Sequence, residues 1–543
     1  MFISEIIGEE YKEWTPDKRV IISAPTGSGK TTFILEVLYP YAVSRKLRIL
    51  YLVNRKVLKE QIMKQIKDII YFKLKNPGAQ NYITVMTYQS VEELLRRDPN
   101  PRSLQGYSYI ICDEAHYFLK DSLFNTSTYY SYQFIARHYG SAVLIFISAT
   151  IEKIKDVLHN NVIMIEDFTM SYWRGSDSNR DFRYGGLRQY DYLNIKIFGK
   201  ILEIPDIILD NKNNGKWFIF INDIVEGRHI VEILKKQNID AVFVDARYDS
   251  DEEKSLAVNQ LVNEQTMRHK VIVSTSALDN GISISDRELR NLIVLAECEE
   301  DLIQMIGRRR YDGKKVNLYL CLRSLEEFSK RLHYLEQILD VYTECQGYFE
   351  KVPELVGRKV LQSPYFYERA RKFLYVHTMY DNFGRVTGQL LCPNLLSIKE
   401  ITYQISFYRD AIERFKAEGA YAFLKMQLSW LGLDDISETI IYENRVIEIK
   451  KHKKIIDDVL MQYIDRELDS NANKELKLQI MDSLRRLLEL CAPTNVDISI
   501  LDEDIRKKDR RISANKFNEC MGYIGLKYCM VGGNKKPYFI KEM

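Results

Sequence analysis

The sequence predicts an α/β protein with two parallel-sheet domains in tandem, followed by a mainly α-helical C-terminal region. Three observations carry that expectation. A glycine-containing turn, Ala24-Pro25-Thr26-Gly27-Ser28-Gly29-Lys30-Thr31-Thr32, stands between an apolar run and an amphipathic stretch. Apolar runs of strand length then alternate with helical patterns as far as residue 325. Beyond that point the strand signals give way to long helical periodicities with few breakers.

In chain order, Arg19-Val20-Ile21-Ile22-Ser23 reads as a strand feeding the glycine turn, and residues 30–44 and 55–69 read as helices. Strands are expected near 48–53, 81–86, 107–112 and 142–147, which closes a first domain over 1–170. The stretch from Arg174 to Gly186 is polar and turn-rich and is the expected hinge or loop region. A second domain, 171–325, shows strands near 216–221, 240–244, 270–274, 291–296 and 316–321. In the accessory region, 326–543, Ser324 to Tyr342, Ile398 to Ala417 and Glu438 to Leu468 have helical periodicity.

The glycine turn is suited to a triphosphate tail. Its backbone N–H groups can wrap the phosphates, and the helix that follows adds its positive end. Lys30 would reach the β and γ phosphates, Thr31 would hold Mg²⁺, and Thr32 starts the helix body. Ala24 replaces the first glycine of the usual pattern, leaving Gly27 and Gly29 in place. Tyr107-Ser108-Tyr109-Ile110-Ile111-Cys112 suits a parallel strand buried on both faces, with Asp113 at its end. Asp113 would meet the Mg²⁺, and Glu114 would orient or deprotonate the attacking water. The chain therefore reads as one that binds and hydrolyses ATP.

Together these two segments resemble motifs I and II of the superfamily 2 helicases and translocases, the DEAD/DEAH-box class. The remaining motifs follow in order. Ser148-Ala149-Thr150 resembles motif III, and the segment from Asn54 to Gln61 resembles motif Ia. Thr84 to Ser90 resembles the next strand-contacting segment, Lys216 to Ile221 motif IV, Val271 to Ile284 motif V, and Gln304 to Arg310 motif VI. The resemblance implies two tandem RecA-like P-loop NTPase domains with ATP between them. By the same resemblance Gln304, Arg308 and Arg310 act at the γ-phosphoryl, and Ala24, Thr26, Gly27, Ser28 and Gly281 join the nucleotide site. Arg55, Thr87 and Thr275 would contact nucleic acid, while His116, Ser148 and Thr150 would couple hydrolysis to the grip. Each small polar residue in this set can equally be a strand-end or helix-capping group. Arg309 can be part of a basic face on phosphate backbone.

Two departures stand out. Ser283 occupies the place of the motif V aspartate, and Tyr311 that of the second motif VI arginine. Viral and phage origin-binding helicases also show a Gly-hydrophobic-Ser segment in motif V, a fold-level hint only.

At 543 residues, 46% of them apolar, the chain suits about three domains. No stretch is apolar enough to span a bilayer and the N-terminus lacks a secretory pattern, so a cytoplasmic location is expected. Eight scattered cysteines without C-x-x-C spacing suggest neither zinc nor a disulfide framework. A net charge of +3 is compatible with a local phosphate-gripping channel. Near the end, Ser513 is expected to cap a helix that Gly525 ends, and the segments 527–531 and 536–540 to pair as a hairpin. That ending fits either a winged-helix nucleic-acid module or a packed terminal hairpin. Glu448-Ile449-Lys450 has the spacing of a metal-dependent nuclease strand, but its surroundings read as a charged helix.

The expected function is an ATP- and Mg²⁺-dependent helicase or translocase on DNA or RNA, acting on a single strand or tailed duplex, with a possible protein partner at 326–543. Alternatives are a nucleic-acid-activated switch that does not unwind, and an origin-binding replication initiator.

Overall fold

The structure, a computed structural model, describes residues 3–16, 19–23, 29–148, 169–170, 190, 192–245, 251–275, 283–309, 312–351, 355–361, 363–380, 385–491, 511–533 and 536–543. The expected hinge at 174–186 lies outside them. The chain divides into two compact units, Met1–Gly432 and Leu433–Met543.

The first unit contains two sheets. Strands β1 (Arg19–Ser23), β2 (Ile49–Val53), β3 (Ile83–Thr87), β4 (Tyr109–Asp113), β5 (Val143–Ser148) and β6 (Thr169–Met170) form one, in the order β3-β2-β4-β5-β1-β6. Every described pairing in it is parallel. Parallel neighbours require crossover connections, and the helical patterns between the strands supply them.

Alternate residues of β2, β4 and β5 enter two separate cores. Ile49, Tyr51, Val53, Tyr109, Ile111, Val143 and Ile145 pack with the helical stretch after Gly29 and with Lys56–Asp68. Leu50, Leu52, Ile110, Cys112, Leu144 and Phe146 pack with Tyr88–Arg97 and Thr128–Arg137. Such two-sided burial is why these strands are continuous apolar runs rather than alternating ones.

Strands β7 (Leu193–Phe198), β8 (Lys216–Phe220), β9 (Ala241–Val244), β10 (Val271–Ser274), β11 (Leu289–Val294) and β12 (Val316–Cys321) form the second sheet, in the order β7-β12-β11-β8-β10-β9, again parallel. The edge strand β7 was not expected from the sequence.

The helical region expected over 326–543 is divided, because its two parts complete different cores. Helices Leu325–Lys351, Leu395–Glu418 and Ala422–Trp430 share a core around Phe328, Ile338, Phe415 and Phe423 within the first unit. Leu396 also inserts into a core of the first sheet. A hairpin absent from the sequence reading, β13 (Leu374–Tyr380) with β14 (Val386–Pro393), precedes the second of these helices.

The second unit closes its own core from Ser437–Leu460, Ser470–Cys491, Ala514–Ile524 and the hairpin β15 (Tyr528–Gly533) with β16 (Lys536–Glu542). The Ser513 side chain accepts a hydrogen bond from the Lys516 amide, and Gly525 ends the helix, both as expected. Gly532 stands at a register shift of the hairpin with φ 113°, where an added Cβ would fall 2.0 Å from the Pro537 carbonyl oxygen. Gly532→Ala is therefore expected to cost the unit roughly 1–3 kcal/mol. Hydrogen exchange should report it as lost protection at Tyr528 to Val531 with the β1–β5 amides unaffected.

Candidate ATPase site

Strand β5 lies between β4 and β1, so three carboxyl ends meet at one edge of the first sheet. Gly29 enters the next helix at φ 83°, a left-handed conformation open to glycine. Lys30, Thr31 and Thr32 form the first turn of that helix.

Asp113 ends β4 and is only 5% exposed. One carboxylate oxygen accepts from the Tyr51 hydroxyl at 3.0 Å, the other from the Glu114 amide at 3.0 Å. Burial and the neighbouring Glu114 charge push the Asp113 carboxyl up to about 7, against the Tyr51 bond and the Lys30 charge. Lys30, at the start of the helix after the glycine turn, is thus among the charges that act on Asp113. A buried carboxylate still short of positive charge at neutral pH is a suitable ligand for a divalent cation. The donor set of Asp113 and the Thr31 hydroxyl fits Mg²⁺.

Glu114 has φ 50°, a strained value for a residue with a side chain. That turn is fixed from β5, whose Ile147 carbonyl accepts the Ala115 amide at 2.8 Å. The turn leaves Glu114 Oε2 buried without a hydrogen-bond partner, 3.5 Å from His116 Nδ1.

His116 Nδ1 lies 3.1 Å from Ser148 Oγ, and its Nε2 lies 3.2 Å from Gln304 Nε2. An amide nitrogen facing Nε2 makes that ring atom the acceptor and puts the imidazole proton on Nδ1, toward Ser148. Burial pushes the His116 pKa down, in agreement with a neutral ring.

Gln304 belongs to the helix Glu299–Arg308, which follows β11 in the second sheet domain. Asp301, three residues earlier, is ion-paired to Lys120 of the first. Burial would raise the Asp301 pKa, but the Lys120 charge and hydrogen bond hold it low. Positions 301, 304 and 308 share one helical face, so Arg308, only 7% exposed, projects toward the same cleft. Arg309 is not on an exposed basic face. It is 2% exposed, its Nε donates to the Leu289 carbonyl at 3.2 Å, and it pairs with Asp312 at 2.9 Å.

The structure thus brings together Lys30, Thr31, Asp113, Glu114, His116, Ser148 and Gln304. The residues read as strand contacts have partners within the protein. Arg55 NH1 pairs with Asp121 at 3.2 Å. Thr87 caps the helix Tyr88–Arg97 by accepting from the Ser90 amide at 3.1 Å. Thr275 is buried after β10 with its amide on the Val244 carbonyl. Ala24, Thr26, Gly27, Ser28, Thr150, Gly281 and Arg310 lie outside the described residues.

Tyr51, Tyr88 and Lys120 escaped the sequence reading. Tyr88 donates to the Asp113 backbone carbonyl at 2.9 Å. A usable signal was present in Ile49-Leu50-Tyr51-Leu52-Val53, because a hydroxyl in a strand buried on both faces must find a partner.

Two parallel sheets joined across such a polar cleft define a tandem RecA-like ATPase. Residues 3–153 match the family described as type III restriction enzyme, res subunit, and residues 199–310 match the helicase conserved C-terminal domain. Residues 3–310 are accordingly the motor core of a superfamily 2 helicase, an ATP-hydrolysing helicase or translocase. No curated protein sequence matches the chain. Among solved structures, it is similar to S. cerevisiae Dbp5 bound to RNA and ADP BeF3, at 16% identity and a TM-score of 0.43, over 56% of this chain and 79% of that one. It is also similar to Mycobacterium smegmatis helicase Lhr bound to ssDNA and AMP-PNP, at 15% and 0.41, over 71% and 58%. Escherichia coli DEAH/RHA helicase HrpB gives 15% and 0.40, over 60% and 43%. At this distance the assignment rests on the two family matches and on the site.

The His116 bridge has a pH consequence. A histidine whose pKa is lowered on folding keeps its full contribution above the ordinary value of 6.5, and stability is lost as pH falls below it. Thermal melts between pH 8 and pH 5 (about 6.5 being the unfolded pKa) should fall less steeply for His116→Gln than for the wild type.

Proposed function

We propose that the site turns over Mg²⁺-ATP, and that its turnover drives the chain along nucleic acid. Magnesium bound with ATP would supply charge neutralisation at the β and γ phosphates. Lys30 then binds the phosphate tail, and Thr31 with Asp113 orients the cation. Glu114, with an oxygen left unbonded and a backbone turn that aims it, orients the attacking water and holds its proton. Arg308 meets charge growing on the γ-phosphoryl. Arg310 and Gly281 belong to the same proposal through their motifs, as do the glycine-turn residues.

The observation that carries this reading is the polar bridge from Ser148 through His116 to Gln304, which ties the strand ends of one sheet domain to the arginine-bearing helix of the other. Through that bridge, a change at the γ-phosphate is felt as a change in how the two halves meet. With its Asp113-Glu114-Ala115-His116 segment, we assign the chain to the DEAH-like members. The track is DNA or RNA, with Arg55, Thr87 and Thr275 among the contacting segments. Arg55 already pairs with Asp121 through one guanidinium nitrogen, so a phosphate would share or compete for that side chain. Residues 325–432 and 433–543 are proposed as the places where substrate choice and a protein partner act. Among the described residues no helix is long and apolar enough to cross a membrane.

A second reading, a nucleic-acid-triggered switch without unwinding, is favoured by the contacts that residues 325–432 make with both sheet domains. Ser397 Oγ donates to the Ser122 carbonyl at 2.9 Å on one side, and the Tyr408 hydroxyl to Glu297 at 2.6 Å on the other.

The test is ATP turnover by the full chain, alone and with single-stranded or duplex DNA or RNA at fixed salt, paired with unwinding of a tailed duplex. Stimulation with strand separation is expected. Stimulation without separation selects the switch. Lys30→Ala should lower turnover by at least about a hundredfold, and Glu114→Gln should hold ATP and the strand together. Wild-type turnover in both variants would overturn the site.

A further inference from the structure

We infer that Tyr51 is a positioning residue for the divalent cation of the ATP site, an inference that rests on the reading of Thr31 and Asp113 as its holders. Tyr51 is completely buried in the middle of β2, paired in register with Ile111 of β4. Asp113 lies two residues beyond Ile111, so its side chain leaves the same face of the sheet. The helix that begins at Lys30 packs over that face.

The hydroxyl of Tyr51 is bonded to the carboxylate that ends β4. It donates to Asp113 Oδ2 at 3.0 Å, and Thr31 is among the side chains that act on it. One buried oxygen of β2 therefore holds the carboxylate of β4. With the Glu114 amide on Oδ1, both oxygens of Asp113 are directed, and the carboxylate has one orientation.

A phenylalanine would fill the same space without asking for a partner, since buried hydroxyls cost stability unless bonded. The ring of Tyr51 belongs to the core, while its hydroxyl meets the cation-holding carboxylate of Asp113. Magnesium demands near-octahedral geometry, so ligands fixed beforehand are worth affinity that loose ones are not. Tyr51 supplies that fixation from outside the coordination sphere.

Tyr51→Phe keeps the ring and removes the tie. The experiment titrates a fluorescent ADP analogue onto the full chain, first in EDTA and then across a Mg²⁺ series. Affinity in EDTA is expected to stay within about twofold of wild type, while the Mg²⁺-dependent gain in affinity falls by roughly tenfold, the size of one lost charge-assisted hydrogen bond. A Mg²⁺-dependent gain equal to wild type overturns the inference. So does an equal loss with and without Mg²⁺, because a purely structural role would lower both. Asp113→Asn runs alongside: if it too keeps the full gain, the cation-site reading itself is wrong, whereas loss in Asp113→Asn with no loss in Tyr51→Phe removes only the role of Tyr51. Melting temperatures are recorded for each, and Tyr51→Met, which also lacks the hydroxyl, replaces Tyr51→Phe should that variant melt early.

Discussion

The organisation of the first sheet domain depends on keeping one carboxylate in a place that disfavours it. Asp113 ends a strand whose every residue is buried, and burial alone raises its pKa more than any other influence. An isolated charge at that depth would neutralise itself. Here Tyr51, the Glu114 amide and the Lys30 charge each return part of what burial removes. These compensations come from three separate elements, so the residues that keep Asp113 charged also fix where the phosphate-loop helix, β2 and the turn after β4 stand. The left-handed Glu114 and the Ala115 bond to β5 follow from that turn, and they set His116 against Ser148 and Gln304.

The same economy governs the meeting of the two sheet domains. Among the described residues, those that stand across the cleft include a neutral histidine, an amide and the ion pair of Lys120 with Asp301. Net contributions of single neutral hydrogen bonds are about 0.5–1.5 kcal/mol. Contacts of that size hold an arrangement yet yield to ligand binding, which a motor needs. Residues 325–432 add a third body to this exchange. Asn394 bonds Thr126 and Thr128 on the first domain, while Gln427 reaches the Ala296 carbonyl beside the helix that carries Gln304. A rotation of one domain against the other must therefore break or carry these bonds, and the helical region takes part in closure rather than riding on it.

Much of this was readable in the sequence because buried parallel strands are uniform apolar runs and their ends are punctuated by chemistry. All ten expected strands of the two sheets are present, with ends displaced by two residues at most. Strand β7 escaped because Leu193-Asn194-Ile195-Lys196-Ile197-Phe198 is an edge strand that mixes buried and partly exposed positions. The β13–β14 hairpin escaped for the same reason, since much of it is partly or fully exposed. The site residues divide along a similar line. Asp113 and Glu114 announce themselves by lying after a buried strand, whereas Tyr51 acts through a partner 62 residues away, a distance that no local pattern encodes. Arg55 and Thr87 show the converse limit. The resemblance gives them a role toward a strand, and the fold gives each an internal partner that such a strand must displace or work around.

Position within an element also decides what a short motif can mean in the second unit. Glu448 and Lys450 have a spacing that on a strand would put both side chains on one face, as a nuclease centre requires. The segment is instead part of the helix Ser437–Leu460, where residues two apart point about 200° from one another. Glu448 is committed elsewhere, to Arg486 of the adjoining helix at 3.0 Å. Among the described residues no group of three or more His, Cys, Asp or Glu side chains is arranged to hold a metal ion. The match to a restriction-enzyme subunit covers only the first sheet domain, residues 3–153, and gives no reason to read Glu448 as catalytic. What the second unit presents is a helix capped at Ser513, ended at Gly525 and followed by a tight hairpin over a core of its own. The buried residues of that core all lie between Ile456 and Ile540, so this unit shares none of them with the cores of the two sheets.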